Sequence, residues 1–198
     1  MTTLSYYTAT TLDGFIADPH DSLQWLFRQE QDESGPLNYG GFIQTIGAIV
    51  MGSTTYEWIL GHEGPDEPWP YSMPSWVMTS RDLTPPANAD VRIAQGDVRP
   101  VYDAMAAAAD GKDLWVVGGG DLAGQFADAG LLDEVIVYVA PVTLGTGRSL
   151  LSRRLDLALL ETHRNGAFVC SRYRVEGRLT EDSTAGDGEV MAPGEPGS

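Results

Sequence analysis

A chain of 198 residues, 42% hydrophobic and 20% charged, is long enough to bury one core without disulfides or a structural metal, and its composition excludes fibrous or wholly disordered classes. A net charge of −16, from 28 acidic against 12 basic residues, works against nucleic acid and anionic membrane as partners, because both demand clustered Lys and Arg. A single cysteine excludes an intrachain disulfide, and with no leader-like or membrane-length apolar run the expected setting is a reducing cytoplasm.

Along the chain, strand and helix signals alternate. Leu4 to Thr10 reads as a strand, broken at Asp13-Gly14 and resumed by Phe15-Ile16-Ala17. The spacing of Leu37, Phe42, Ile43 and Ile46 predicts a helix over 34–46, followed by the apolar strand Ala48 to Met51 and a helix from Thr54 to Leu60. A Gly/Pro-rich loop over 61–74 leads to a strand at Ser75 to Thr79 and a weaker one at Val91 to Ile93. The alanine-rich run 101–109 predicts a helix, Leu114 to Val117 a buried strand, Asp121 to Ala129 a helix, and Glu134 to Val139 another strand.

From Leu157 the pattern changes to two alternating runs around Asn165-Gly166, a strong hairpin signal. The expected fold is therefore α/β in three layers, α/β/α, with a mixed, mostly parallel sheet that ends in a C-terminal antiparallel hairpin. One domain is expected over 1–179. Residues 180–198 hold five acids, no base and no periodic apolar pattern, and read as a disordered tail; without those five acids the remainder still carries −11.

An acidic body must bind any anionic ligand through local donors. The run Val116-Val117-Gly118-Gly119-Gly120-Asp121-Leu122 joins a buried strand to a helix through three glycines. Backbone without β-carbons can approach a ligand closely, and the helix start offers free N–H groups and the positive end of its dipole, a site that fits a diphosphate. The same glycines also permit a tight turn that only packs helix on strand. Asp121 is expected to cap the helix with its carboxylate turned aside. A second strand-glycine-helix junction, Gly52-Ser53-Thr54-Thr55, carries three hydroxyls able to cap or to bind phosphate. At a strand end, Thr79, Ser80 and Arg81 could hold a ribose 2′-phosphate.

In this order the segments resemble the dihydrofolate reductase superfamily, in particular its branch similar to the reductase domain of bacterial riboflavin biosynthesis. The resemblance runs from about Leu4 to Gly177. It rests on Thr11-Leu12-Asp13-Gly14-Phe15-Ile16-Ala17, on Met51 to Glu57, on the glycine triplet followed by Leu122, Phe126 and Leu131 to Glu134, and on Pro141 to Gly147. It implies a dihydrofolate-reductase-like fold and bound NADPH, NADH remaining open. Gly118, Gly119, Gly120, Asp121 and Leu122 would lie near the diphosphate, with Gly52, Ser53, Thr54 and Thr55 beside a phosphate. Thr79, Ser80 and Arg81 would lie near the adenosine ribose, and Ala9, Ile16 and Ala17 near the nicotinamide. Ser53 stands where that branch usually has Arg, which removes a charge favouring the 2′-phosphate.

Hydride transfer also needs a proton source. Asp13 is the candidate, although Asp-Gly is equally a common turn pair. Glu30, Asp32 and Glu33 lie where the folate reductases place a helix carboxylate, yet read as a solvated acidic run. Trp25, Tyr39, Trp58 and Trp76 could line a stacking pocket or simply the core. His20, His62 and His163 lack ligand spacing, so no metal is expected. Cys170, within an alternating strand, reads as a buried apolar thiol.

The expected function is an NADPH-dependent reductase of a small heterocyclic substrate such as a pterin or a ribosylaminopyrimidine. The alternative is a catalytically inactive nucleotide-binding or redox-sensing module, and a flavin enzyme is a third reading. The hairpin edge, with Val169, Tyr173 and Val175 alternating, suggests a homodimer.

Overall fold

The computed structural model describes residues 2–63 and 68–180. Its centre is an eight-stranded sheet built from β1 (Leu4–Thr11), β3 (Ile46–Gly52), β4 (Ser75–Met78), β5 (Val91–Ala94), β6 (Asp113–Gly118), β7 (Glu134–Ala140), β9 (Leu155–Asn165) and β10 (Phe168–Arg178). The spatial order is β5-β4-β3-β6-β1-β7-β10-β9. The first six strands of that order run parallel, and β10 and β9 close the sheet antiparallel. Two short strands, β2 (Phe15–Ala17) and β8 (Arg148–Ser149), pair with each other outside it.

Parallel strands covered on both faces must be apolar on both, which is why the central strands read as continuous hydrophobic runs. On one face Leu4 and Tyr6 of β1, Ala48 and Val50 of β3, and Leu114 and Val116 of β6 meet Val101 and Met105 of α4 (Val98–Ala108) and Leu122 and Phe126 of α5 (Gly120–Asp128). On the other, Tyr7, Ile49, Met51 and Trp115 meet Trp25 of α1 (Gln24–Phe27), Phe42 and Ile43 of α2 (Tyr39–Thr45), and Tyr56 and Ile59 of α3 (Ser53–Glu63). The sheet is thus the middle of three layers, as the alternation implied. No helix among the described residues is long and apolar enough to cross a membrane.

Several elements depart from the sequence reading. The helix expected over 34–46 is only Tyr39–Thr45, because the Asn38 side chain accepts from Gly41 N at 2.7 Å and caps it there, while Ile46 already belongs to β3. The one-turn α1 and the two-residue β8 have no periodic signal and were not expected. The hairpin forms, but its loop is Gly166-Ala167 rather than Asn165-Gly166. Gly166 takes φ +57 and Ala167 does not have positive φ, the pattern of a type II′ turn with glycine first.

Asn165 is instead a buried strand end that ties the hairpin to the 32–36 loop: it accepts from Asp32 N at 2.8 Å and donates to Asp32 O at 3.0 Å and Pro36 O at 3.2 Å. The expected acidic tail lies outside the described residues from 181 onward, as do residues 64–67 of the expected loop.

Candidate functional site

The topology creates a crevice. β3 and β6 are parallel neighbours, yet the helix that follows β3 covers one face of the sheet and the helix that follows β6 covers the other. Where connections part in this way, the carboxyl ends of the strands are left uncovered and both helix starts face the gap. A cleft of about 660 Å³ opens there, within the range of pockets that hold a small ligand.

Gly52 to Thr55 from the β3–α3 junction and Gly118 to Leu122 from the β6–α5 junction line it together. A β-carbon on Gly118 would stand 2.9 Å from Thr55 Oγ1, so the two junctions touch. The Gly118–Gly119 peptide is cis. A β-carbon on Gly120 would strike the carbonyl oxygens of Ser149 and Leu150, whereas one on Gly119 would meet nothing within 4 Å. Glycine is therefore demanded by packing at 120. At 119 its bareness leaves the backbone open toward the cleft.

Helix α5 has Gly119 at its cap position and no side-chain cap, which leaves its first N–H groups available. Asp121 is thus not the cap expected for it. Its carboxylate accepts from Gln125 Nε2 at 2.9 Å and Arg153 Nη1 at 3.1 Å, bonds that lower its pKa, Gln125 contributing most. The negative charge so held points to Arg153 and leaves the helix start to another anion. The hydroxyls of Ser53, Thr54 and Thr55 make no hydrogen bond among the described residues. The donor set, two helix starts with hydroxyls beside them, fits the diphosphate of a dinucleotide.

The other wall comes from elements with weak sequence signals. β2 and β8 pair Phe15 with Ser149 and Ala17 with Arg148, and Ile16, Ala17, Arg148 and Ser149 line the cleft. Arg148 forms a two-point pair with Asp21, Nε to Oδ1 at 2.7 Å and Nη2 to Oδ2 at 3.0 Å, and this bond holds the Asp21 carboxyl below its usual range. Leu23, Thr8 and Trp58 complete the wall. Sequence reasoning missed Asp21, Leu23 and Arg148. Only the glycine-containing loop that ends at Gly147 pointed toward that strand.

Asp13, the expected proton donor, lies outside this lining. It accepts from Thr11 Oγ1 at 2.5 Å, Gly145 N at 2.7 Å and Leu144 N at 3.0 Å, and its pKa is lowered, chiefly by Thr11. These bonds fasten the 11–14 turn to the 144–145 loop. Glu30, Asp32 and Glu33 also lie outside the cleft, and Asp32 is occupied by Ser34, whose N and Oγ donate to it at 2.9 and 2.7 Å.

Ala9 packs on the face of the sheet that holds Tyr7, Ile49 and Met51, and it is its neighbour Thr8 that reaches the cleft. Thr79, Ser80 and Arg81 follow Met78, which lines one end. Arg81 is paired with Glu57. Of the four aromatic candidates, Trp58 alone faces the cleft; Trp25 and Trp76 are buried in the core, and Tyr39 packs against Tyr7 and Trp115. Cys170 is buried, as expected, and its thiol is pushed up to about 11 by desolvation.

Comparison with known proteins agrees with this architecture. The chain is 29% identical over 171 residues to the uncharacterized protein YwjB of Bacillus subtilis, covering 84% of this chain and 94% of that one. It is 28% identical over 149 residues to the riboflavin biosynthesis protein RibD of Mycobacterium tuberculosis, covering 69% of this chain but 41% of that protein. Among solved structures, a putative riboflavin biosynthesis protein from Shewanella sp. PV-4 superposes with a TM-score of 0.74 at 25% identity, over 89% of this chain and 99% of that one. A diaminohydroxyphosphoribosylaminopyrimidine deaminase/5-amino-6-(5-phosphoribosylamino)uracil reductase from Thermotoga maritima shares the fold, with a TM-score of 0.58 at 15% identity over 88% of this chain and 56% of that one. The family model of the RibD C-terminal domain matches residues 69–169, just over half of the sequence, and the chain belongs to that family.

Proposed function

We propose that this protein is a reductase that holds a reduced nicotinamide dinucleotide, NADPH or NADH, in the cleft between α3 and α5 and reduces a small heterocycle there. The observation that carries this reading is the contact between Thr55 and Gly118, which brings two helix starts to one point in a strongly acidic chain. A diphosphate offers two linked anionic groups, and two adjacent helix starts offer donors to both. Gly118, Gly119, Gly120, Asp121 and Leu122 would hold one phosphate by backbone N–H groups. Gly52, Ser53, Thr54 and Thr55 would hold the other. Thr79, Ser80 and Arg81 remain the residues proposed for the adenosine ribose, and Ile16 and Ala17, with Ala9 behind them, for the nicotinamide.

When bound, the dinucleotide supplies the hydride. The chain orients it against the β2–β8 wall and leaves protonation of the product to solvent. Among the described lining residues the carboxyl groups are Asp21 and Asp121, and both have lowered pKa values. Asp13 acts in this reading as a positioning residue that holds the wall in place.

That lack of a protonated acid is also what favours the second reading, a nucleotide-binding module without turnover. The edge strand β9 exposes Leu157, Leu159 and Leu160, and we propose that a second copy covers it in a homodimer.

Titration with NADPH and with NADH tests the main reading. Saturable quenching of tryptophan fluorescence, to which Trp58 contributes from the cleft wall, and a rise in Tm with nucleotide concentration are expected. Neither response with either nucleotide would end it. Binding without NADPH oxidation across a panel of pterins, pyrimidines and quinones would favour the module.

A further inference from the structure

We infer that Arg153, which stands outside the cleft lining, is a positioning residue for the dinucleotide: it draws the Asp121 carboxylate off the start of α5 and offsets its charge there. This rests on the dinucleotide reading above. An acidic side chain is thereby tolerated beside the groups that would hold a diphosphate.

Asp121 is the second residue of α5 and lines the cleft. A free carboxylate at that place competes with a ligand phosphate for the same N–H groups and the same end of the helix dipole. The charged side chains along the described wall are Asp21, Asp121 and Arg148, two acids against one base, and Arg148 is paired with Asp21. Compensation for Asp121 comes from behind the wall. Arg153, in the segment between β8 and β9, brings its Nη1 to 3.1 Å from Asp121 Oδ1.

The arginine is held in place independently of Asp121. Its stem crosses α5 at Gly124, where a β-carbon would stand 2.8 Å from Arg153 Cγ, so the helix is bare at the crossing. Its Nε donates to Asp128 Oδ2 at 2.6 Å and its Nη1 to Ser152 O at 3.1 Å. The side chains of Arg153 and Asp128 are each 27% exposed, against 68% for Asp121, so the guanidinium is the fixed partner and the Asp121 carboxylate moves to it. Asp128 does not use up the positive charge, because Arg178 Nη2 also donates to it at 2.6 Å.

Gly124 lies three residues beyond Asp121, about 4.5 Å along the helix axis. Gln125, at the next position, donates to the same carboxylate at 2.9 Å. Both donors therefore pull it away from the helix start. Exposed pairs of this kind contribute little to folding stability, so the consequence is read in ligand affinity.

The test titrates the full chain with NADPH and with NADH by tryptophan fluorescence and follows whichever binds the parent more tightly. Arg153→Met keeps the stem over Gly124 and removes the charge, and a loss of about three- to tenfold in affinity is expected. Adding Asp121→Asn to it is expected to restore binding to within about twofold of the parent, whereas Asp121→Asn alone changes binding less than about twofold. The deficit of Arg153→Met is also expected to shrink from about 20 mM to about 300 mM salt, because screening weakens the repulsion. Should the methionine variant not fold, Arg153→Gln carries the same expectations. Unchanged affinity in the variant overturns the inference, as does a deficit that Asp121→Asn leaves in place or that salt does not shrink, either of which would make Arg153 a fastener of its own segment and nothing more. Failure of both nucleotides to bind the parent sinks the dinucleotide reading instead.

Discussion

The guanidinium of Arg81 meets the carboxylate of Glu57 through two parallel hydrogen bonds of 2.8 Å each. Arg81 follows the strand end expected to face a ribose 2′-phosphate, and in this pair a carboxylate already opposes its charge. Both side chains are about half exposed, so the pair itself contributes only about 0–1 kcal/mol and can open. Its cost to a phosphate is the carboxylate left beside it. NADPH and NADH are expected to bind with dissociation constants within about tenfold of each other, and Glu57→Gln to tighten NADPH about three- to tenfold while leaving NADH unchanged. Fluorescence titration of both nucleotides against both proteins reads this directly. An unaltered NADPH to NADH ratio would place Arg81 away from the ribose.

Gly119 and Gly120 are adjacent but should fail differently. Alanine at 120 drives its β-carbon into the carbonyls of Ser149 and Leu150, and a loss of about 1–3 kcal/mol in urea unfolding is expected. Alanine at 119 meets no atom of the described residues within 4 Å beyond its chain neighbours, and its φ of −95 suits any residue. Stability should stay within about 0.5 kcal/mol, while nucleotide affinity falls about tenfold or more because the new methyl group occupies ligand space. Equal nucleotide binding by Gly119→Ala and the parent would contradict the proposed diphosphate site.

Asp13 carries a pH signature that separates a fastening role from an acid. Its pKa is lowered in the folded chain, first by the Thr11 hydroxyl and then by Gly145 and Leu144 N–H groups. Stability from such a group is fully present above the unfolded value of about 3.9 and is lost as pH falls through the folded value. Tm measured from pH 7 to pH 2 should therefore converge for the parent and Asp13→Asn at the acid end and separate above about pH 4, with the variant lower. Coincident curves at neutral pH together with abolished turnover would return Asp13 to the role of proton donor.

Asn165 should be the most costly single polar truncation outside the cleft. Alanine there strips Asp32 N of its acceptor, while Asp32 O keeps Gly35 N and Pro36 O keeps the Tyr138 hydroxyl, so the cost is the lost hydrogen bonds of one buried amide, each about 0.5–1.5 kcal/mol. A drop of about 1–3 kcal/mol in unfolding free energy is expected, with hydrogen exchange at Asp32 N raised well before that of the central strands. A loss under about 0.5 kcal/mol would mean that water takes over those bonds.

The strands of this protein are legible in its sequence because a parallel sheet covered on both faces requires unbroken apolar runs, as in Ala48 to Met51 and Leu114 to Val117. The two strand-to-helix junctions are legible for a similar reason, since glycine is demanded wherever backbone passes close to backbone or is bared toward a ligand. Elements of one turn or two residues, such as α1 and β8, carry no period to detect and exist only because neighbours hold them. That Asp13 fastens a loop was equally hidden, because its partners Leu144 and Gly145 lie 131 and 132 residues away.

Local chemistry along the chain thus determined what each junction could bind. Only the insertion of β6 between β3 and β1 decided that the two junctions meet, because adjacency in a sheet is set by long-range pairing energy and leaves no mark on residues read in order.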